Sequence, residues 1–186
     1  MPIYADFHIH SHYSRATSHD MDLKHLDQWA KTKGINILGT GDFTHPGWLS
    51  ELKEKLEPQE EGFFKLRNSN TDTRFILTSE ISCIYSKGGR TRKIHLVIFA
   101  PSFKEIDKIN TQLSWIGNLK SDGRPILGLD AKELLKIVLD TSKDCLVVPA
   151  HIWTPWFSLF GANSGFDSIE ECFEEGEEEI GQTKLF

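Results

Sequence analysis

An α/β domain is the fold class this sequence predicts, and three observations carry it. Short apolar, β-branched runs alternate along the chain with stretches whose apolar residues recur at helical spacing. A length of 186 residues suffices for one domain and falls short of two. With 39% hydrophobic and 26% charged residues the chain has an ordinary globular composition, which excludes disordered and fibrous classes.

The elements follow in order. A first strand is predicted over 3–7. A helix then runs from Asp20, the predicted N-cap, through Leu23, Leu26, Trp29 and Ala30 to Gly34 as its stop. A short apolar strand over 35–39 is followed by a short helix over 48–56, closed by Pro58. Residues 74–81 and 93–100 flank Gly88-Gly89 and read as a hairpin. Ser102 caps a helix carrying Phe103, Ile106, Ile109, Leu113 and Ile116, and Asp130 caps another through Leu134, Leu135, Val138 and Leu139. A buried strand over 145–149 leads to His151. Five strands make most of a barrel without closing it, so the expectation is a barrel left incomplete after about five strands.

The net charge of −6 is unevenly placed: residues 167–186 carry eight acids against Lys184 alone, which leaves the remainder at +1. The acidity therefore belongs to the C-terminal segment and does not exclude a nucleic-acid partner for the body. No apolar run approaches the roughly 20 residues of a membrane span, and the N-terminus shows no signal-peptide pattern, so no membrane partner is expected. Three cysteines, Cys83, Cys145 and Cys172, lack CxxC spacing and read as free thiols of a cytoplasmic protein without disulfides.

Polar residues gather at strand ends. In Asp6-Phe7-His8-Ile9-His10 the alternation of an extended chain puts Asp6, His8 and His10 on one face. Two imidazoles so spaced can grip one cation. Gly39-Thr40-Gly41-Asp42 follows the second strand and aims Asp42 at the same mouth, with His45 farther into the loop as a weaker candidate. Glu80 is a lone carboxylate in an apolar strand, and a cation would compensate its burial. With Gly88-Gly89 as the turn, Ser82 falls opposite His95, which places Glu80 and His95 diagonally on one face. His151 closes the set. Imidazoles and carboxylates without thiolate suit a multinuclear cluster of zinc, manganese or iron. Lys87, Arg90, Arg92 and Lys93 around the hairpin are candidate phosphate contacts, and Trp153, Trp156, Phe157 and Phe160 form an aromatic loop able to stack on a base.

The Asp-x-His-x-His opening, the Thr-Gly-Asp turn, Glu80, His95 in His-Leu-Val-Ile-Phe and His151 resemble the polymerase and histidinol phosphatase (PHP) phosphoesterases. The stretch from His151 to Ser158, with Gly165 to Cys172, looks most like the N-terminal domain of the endonuclease Q group, DNA repair enzymes that nick 5′ to deaminated or damaged bases. The resemblance implies a distorted seven-stranded PHP-type (β/α) barrel over 1–175, followed by an acidic tail over 176–186. It implies up to three zinc or manganese sites: His8, His10 and Glu80 at the first, a bridging Glu80 with His95 and His151 at the second, and Asp42 toward the third. The family's closing Asp-x-His does not follow residue 151, so at least one site is expected to be incomplete. Glu80, His8 and His10 are the expected catalytic residues; Arg90, Arg92, Trp153 and Trp156 are the expected substrate contacts. The implied function is metal-dependent phosphodiester hydrolysis on DNA with damaged or deaminated bases. The alternatives are a small-molecule phosphoesterase of the same family and a truncated, inactive metal-binding domain.

Overall fold

The computed structural model describes residues 2–15 and 17–174, so the segment 176–186 lies outside the described residues. β1 (Ala5–Asp6) runs parallel to β2 (Ile37–Gly39), and β2 runs parallel to the start of β5 (Arg74–Lys87). β5 and β6 (Arg90–Ala100) form one long antiparallel hairpin, and β8 (Leu146–Pro149) adds antiparallel to β6. The hairpin turns at Gly88-Gly89 with both glycines at positive φ, and its register sets Ser82 opposite His95, as the sequence predicts. β3 (Leu56–Pro58) and β4 (Phe64–Leu66) form a small hairpin against the start of β5, and β7 (Ile126–Leu127) lies parallel to Ser82-Cys83.

Among the described residues eight strands thus form a single open sheet, in place of a five-strand portion of a seven-stranded barrel. Among the described residues β1 pairs only with β2 and β8 only with β6, so the ladder does not close. β3, β4 and β7 span two or three residues each, too short to show any alternation in the sequence. β4 and β7 find partners because β5, at 14 residues, is long enough to pair with different strands along its length, and β3 pairs with β4.

Among the described residues five helices accompany the sheet. α1 (Leu23–Lys33) starts from Asp22, whose carboxylate accepts the N–H groups of Lys24 and His25 at 2.9 and 3.0 Å, and stops at Gly34 in the left-handed conformation. The predicted cap, Asp20, lies two residues too early. α2 (Pro46–Lys55) begins with proline at its first position, where a missing N–H costs nothing. α3 (Phe103–Ser114) and α4 (Ala131–Thr141) start at the predicted caps Ser102 and Asp130 and pack against each other. α5 (Ile169–Phe173) buries Phe173. The core lies between these helices and the inner face of β5 and β6, around Phe75, Leu77, Ile81, Leu96 and Ile98. No helix among the described residues is long and apolar enough to cross a membrane.

Two features of this frame hold the polar mouth. Beyond β1 the chain crosses the end of β2 so closely that a Cβ on Gly39 would meet the Phe7 carbonyl oxygen at 2.6 Å, and one on Gly41 would strike the Ile9 carbonyl. The buried Trp48 of α2 donates its indole N–H to the carbonyls of Gly41 (2.9 Å) and Thr40 (3.2 Å), fixing the same turn from below.

The reassigned cap gives a direct check. Asp22→Ala is expected to lower stability by about 1 kcal/mol, whereas Asp20→Ala leaves it nearly unchanged, as read from urea unfolding midpoints.

Candidate metal centre

Glu80 stands at the middle of β5, 2% exposed, with side chains from the exit of β1, the middle of β6, the end of β8 and the loop before β7 converging on it. His8 Nε2 lies 3.3 Å from Oε1, His95 Nδ1 2.8 Å and His151 Nε2 3.3 Å from the same atom, while His10 Nε2 lies 3.0 Å from Oε2. Two groups of three result: His8, His10 and Glu80, and Glu80, His95 and His151. The hairpin register makes the His95 contact, since Ser82 faces His95 and Glu80 lies one diagonal away. The open sheet curls until its two edges meet here, with the His8 and His151 rings stacked at 5.8 Å.

The donors fit divalent cations. Glu80 Oε1 is buried and accepts no hydrogen bond, although three imidazole nitrogens surround it. Two ligands about 2.1 Å from one ion in tetrahedral geometry stand roughly 3.4 Å apart, close to these separations.

Three of the four imidazoles are held from behind. His10 Nδ1 is bonded to Asp42 Oδ1 at 2.8 Å, His95 Nε2 to Ser82 Oγ at 3.1 Å, and His151 Nδ1 to Thr154 Oγ1 at 3.1 Å. In each ring the nitrogen bonded from behind is the one turned away from Glu80, the arrangement that orients metal-binding histidines; the two that face Glu80 in His95 and His151 lie 3.3 Å apart. Asp42 and His151 both adopt positive φ, 51° and 30°, so local strain gathers at the centre.

The charges are uneven. Burial would raise the Glu80 pKa, but the facing imidazoles of His10, His8 and His95 hold it far below the usual carboxylate range. Burial pulls His10 down, yet Asp42 and Glu80 outweigh it and push it up to about 9. Burial keeps His95 low, on the neutral side a ligand needs.

Several expected site residues sit elsewhere. Asp42 joins neither group: its carboxylate is bonded by His10 Nδ1, the Ser11 N–H and the Ser11 hydroxyl, and Gly123 packs directly over it. Its place is behind His10, because the Gly39-to-Gly41 crossing carries His10 between Asp42 and Glu80. Asp6 is exposed and accepts the His8 N–H, since β1 ends there and the alternation goes no farther. Arg92 is 9% exposed, donates to the Gly165 carbonyl and lies 4.1 Å over the Phe166 ring, so it anchors the 165–166 loop rather than facing substrate. Lys87 is tied to Glu174 at 2.8 Å. Arg90 is exposed at the hairpin tip, away from the centre. The aromatic loop divides: Trp156 lines a cavity of about 350 Å³ beside His95 and His151, while Trp153 lines an apolar groove of about 880 Å³ with Phe160 and Ile152. One residue was missed. Arg124 donates to Glu80 Oε2 at 3.3 Å from the loop before β7, and no local pattern marks it.

Two outcomes follow from this geometry. Ser82→Ala and Thr154→Ala are each expected to weaken divalent-cation binding on the order of tenfold without unfolding the protein, measured by competition with a chelating dye. Binding must also displace the His10 proton, so affinity for Mn²⁺ is expected to rise with pH through neutrality and to level off above about 9.

No family model matches the chain. An uncharacterized protein of Methanocaldococcus jannaschii is 34% identical over 165 residues, covering 88% of this chain and 18% of that protein. The uncharacterized protein YqxK of Bacillus subtilis is 28% identical over 191 residues, covering 92% of this chain and 46% of that protein. The chain thus spans less than half the length of these curated relatives. Among solved structures, the lesion-specific endonuclease PfuEndoQ from Pyrococcus furiosus matches with a TM-score of 0.79 at 30% identity, over 98% of this chain and 40% of that one. An endonuclease Q in complex with a 27-mer duplex substrate, with an abasic lesion at the active site, matches with a TM-score of 0.78 at 31% identity, over 97% and 40%. A protein assigned as a metal-dependent phosphoesterase, from Bifidobacterium adolescentis, shares the fold at a TM-score of 0.52 and 12% identity, over 98% and 75%. The structural neighbours of this chain are endonuclease Q and, at the level of fold alone, a phosphoesterase.

Proposed function

We propose that this chain is the metal-dependent phosphodiester hydrolase domain of a nuclease acting on DNA that carries damaged or deaminated bases, cutting 5′ to the lesion. The observation that carries the reading is the pair of ligand sets sharing Glu80, set within a chain similar to endonuclease Q over nearly its whole length. The duplex with an abasic lesion at the active site of one such endonuclease supports lesion-bearing DNA as the partner.

His8, His10 and Glu80 would hold one ion, and Glu80, His95 and His151 a second; imidazole and carboxylate donors suit zinc or manganese. Bound there, the cations supply Lewis acidity that lowers the pKa of a water and neutralises charge on the phosphoryl oxygens. The remaining work belongs to the chain itself. Asp42, Ser82 and Thr154 keep three ring nitrogens aimed at the centre, and β5 keeps the Glu80 carboxylate dry and ionised. Trp156, 49% exposed, would offer a stacking face for a base beside the centre, while Trp153, 76% exposed, and the exposed Arg90 would meet DNA farther from it.

The test is a nicking assay on duplexes with a single abasic site or deoxyuridine, with Zn²⁺ or Mn²⁺ added. Cleavage 5′ to the lesion is expected, and Glu80→Gln and His8→Ala are expected to reduce it by at least about a hundredfold. Turnover of a soluble phosphomonoester without nicking would move the assignment to a small-molecule phosphoesterase.

A further inference from the structure

Arg124 is the charged residue at the centre that the metal-ligand pattern does not absorb. Its guanidinium donates to Glu80 Oε2, the oxygen that also faces His10, and its side chain remains 41% exposed. It lines the cavity of about 350 Å³ together with Asp122, His95, His151, Trp156 and Phe157. Asp122 is not the partner of the guanidinium: its carboxylate accepts the Arg124 backbone N–H at 3.0 Å and faces Arg15 Nε at 3.5 Å. Among the described residues lining this cavity, Arg124 alone carries a permanent positive charge.

These facts pull in one direction. Glu80 Oε2 faces both His10 Nε2 at 3.0 Å and the Arg124 guanidinium at 3.3 Å, so a cation held between His10 and Glu80 competes with Arg124 for that oxygen. Two positive groups cannot share one carboxylate oxygen without cost. The guanidinium itself is 41% exposed, so water can solvate it when it leaves Glu80, and the cation that replaces it takes over the compensation of the buried carboxylate. A guanidinium freed at the mouth of the cavity presents a planar fork of donors that matches two phosphate oxygens.

We propose that Arg124 exchanges partners: it neutralises Glu80 in the metal-free protein and, once a divalent cation takes Glu80, turns to bind the phosphate of the substrate beside His95 and His151. The proposal rests on the hydrolase reading above and deepens it by naming the residue that recognises the phosphate.

The experiment compares the wild-type chain with Arg124→Gln and Arg124→Lys in two binding measurements that need no turnover. Titration of the metal-free proteins with Mn²⁺ against a chelating dye is expected to show binding about two- to fivefold tighter in Arg124→Gln, because a competing cation is gone. Arg124→Lys keeps the charge and is expected to stay near wild type. Calorimetric titration of the Mn²⁺-loaded proteins with inorganic phosphate is expected to show affinity lower by tenfold to about a hundredfold in Arg124→Gln, with Arg124→Lys between the two. Mn²⁺ affinity that is unchanged or weaker in Arg124→Gln overturns the exchange, as does phosphate affinity equal to wild type. The two readings fail separately. A wild-type protein that shows both binding changes yet nicks no lesion duplex would remove the hydrolase reading and leave the exchange standing. Lesion nicking with neither binding change would do the reverse.

Discussion

A carboxylate buried in the middle of a β-strand is the constraint around which this protein is organised. Removing such a group from water costs several kcal/mol unless opposite charge and hydrogen bonds replace the lost hydration. Glu80 meets that cost with imidazoles from the exit of β1, from β6 and from the end of β8, together with the guanidinium of Arg124. Each belongs to a different part of the chain, so the whole fold must be assembled before the charge is compensated. The same convergence leaves Oε1 surrounded by ring nitrogens and accepting a hydrogen bond from none, an arrangement whose donors suit a divalent cation.

Holding four rings on one carboxylate demands close tolerances, and the surrounding structure supplies them by contact and by strain. The crossing at Gly39 and Gly41 admits no side chain, and the indole of Trp48 locks that crossing from the core. Asp42 and His151 sit in backbone conformations that cost on the order of 1–3 kcal/mol each. Such strain persists only where neighbours over-determine it, and here the neighbours are the Ser11 and His10 bonds to Asp42 and the Thr154 bonds to His151. The loop after His151 also covers the edge of β6 that β8 leaves free, with the His95 N–H bonded to the Phe157 carbonyl and the Lys93 N–H to the Ser164 carbonyl. That backbone pairing sets the Trp156 and Phe157 rings beside the centre.

Much of this was legible in the sequence. The strand-and-helix alternation, the caps Ser102 and Asp130, the stop at Gly34 and the turn at Gly88-Gly89 are local features read within a few residues. The pairing of Glu80 with His95 was also legible, because a two-residue turn sets the register of every pair along the hairpin. His8, His10 and His151 could be named as ligand candidates because polar residues at the ends of apolar strands stand out against their surroundings.

The sequence by itself thus determined the elements, the hairpin register and the residue types able to hold a cation, since these depend on spacing along one stretch of chain. Only the tertiary structure decided which atoms face which. It set Asp42 behind His10 rather than beside Glu80, turned Arg92 inward onto Phe166, sent Trp153 and Trp156 to different cavities and brought Arg124 onto Glu80. It also left the sheet open with eight strands, three of them too short to carry a pattern. The physical reason is common to all of these. Each depends on where a distant segment crosses, and that crossing is set by packing against the whole core, which no window of the sequence contains.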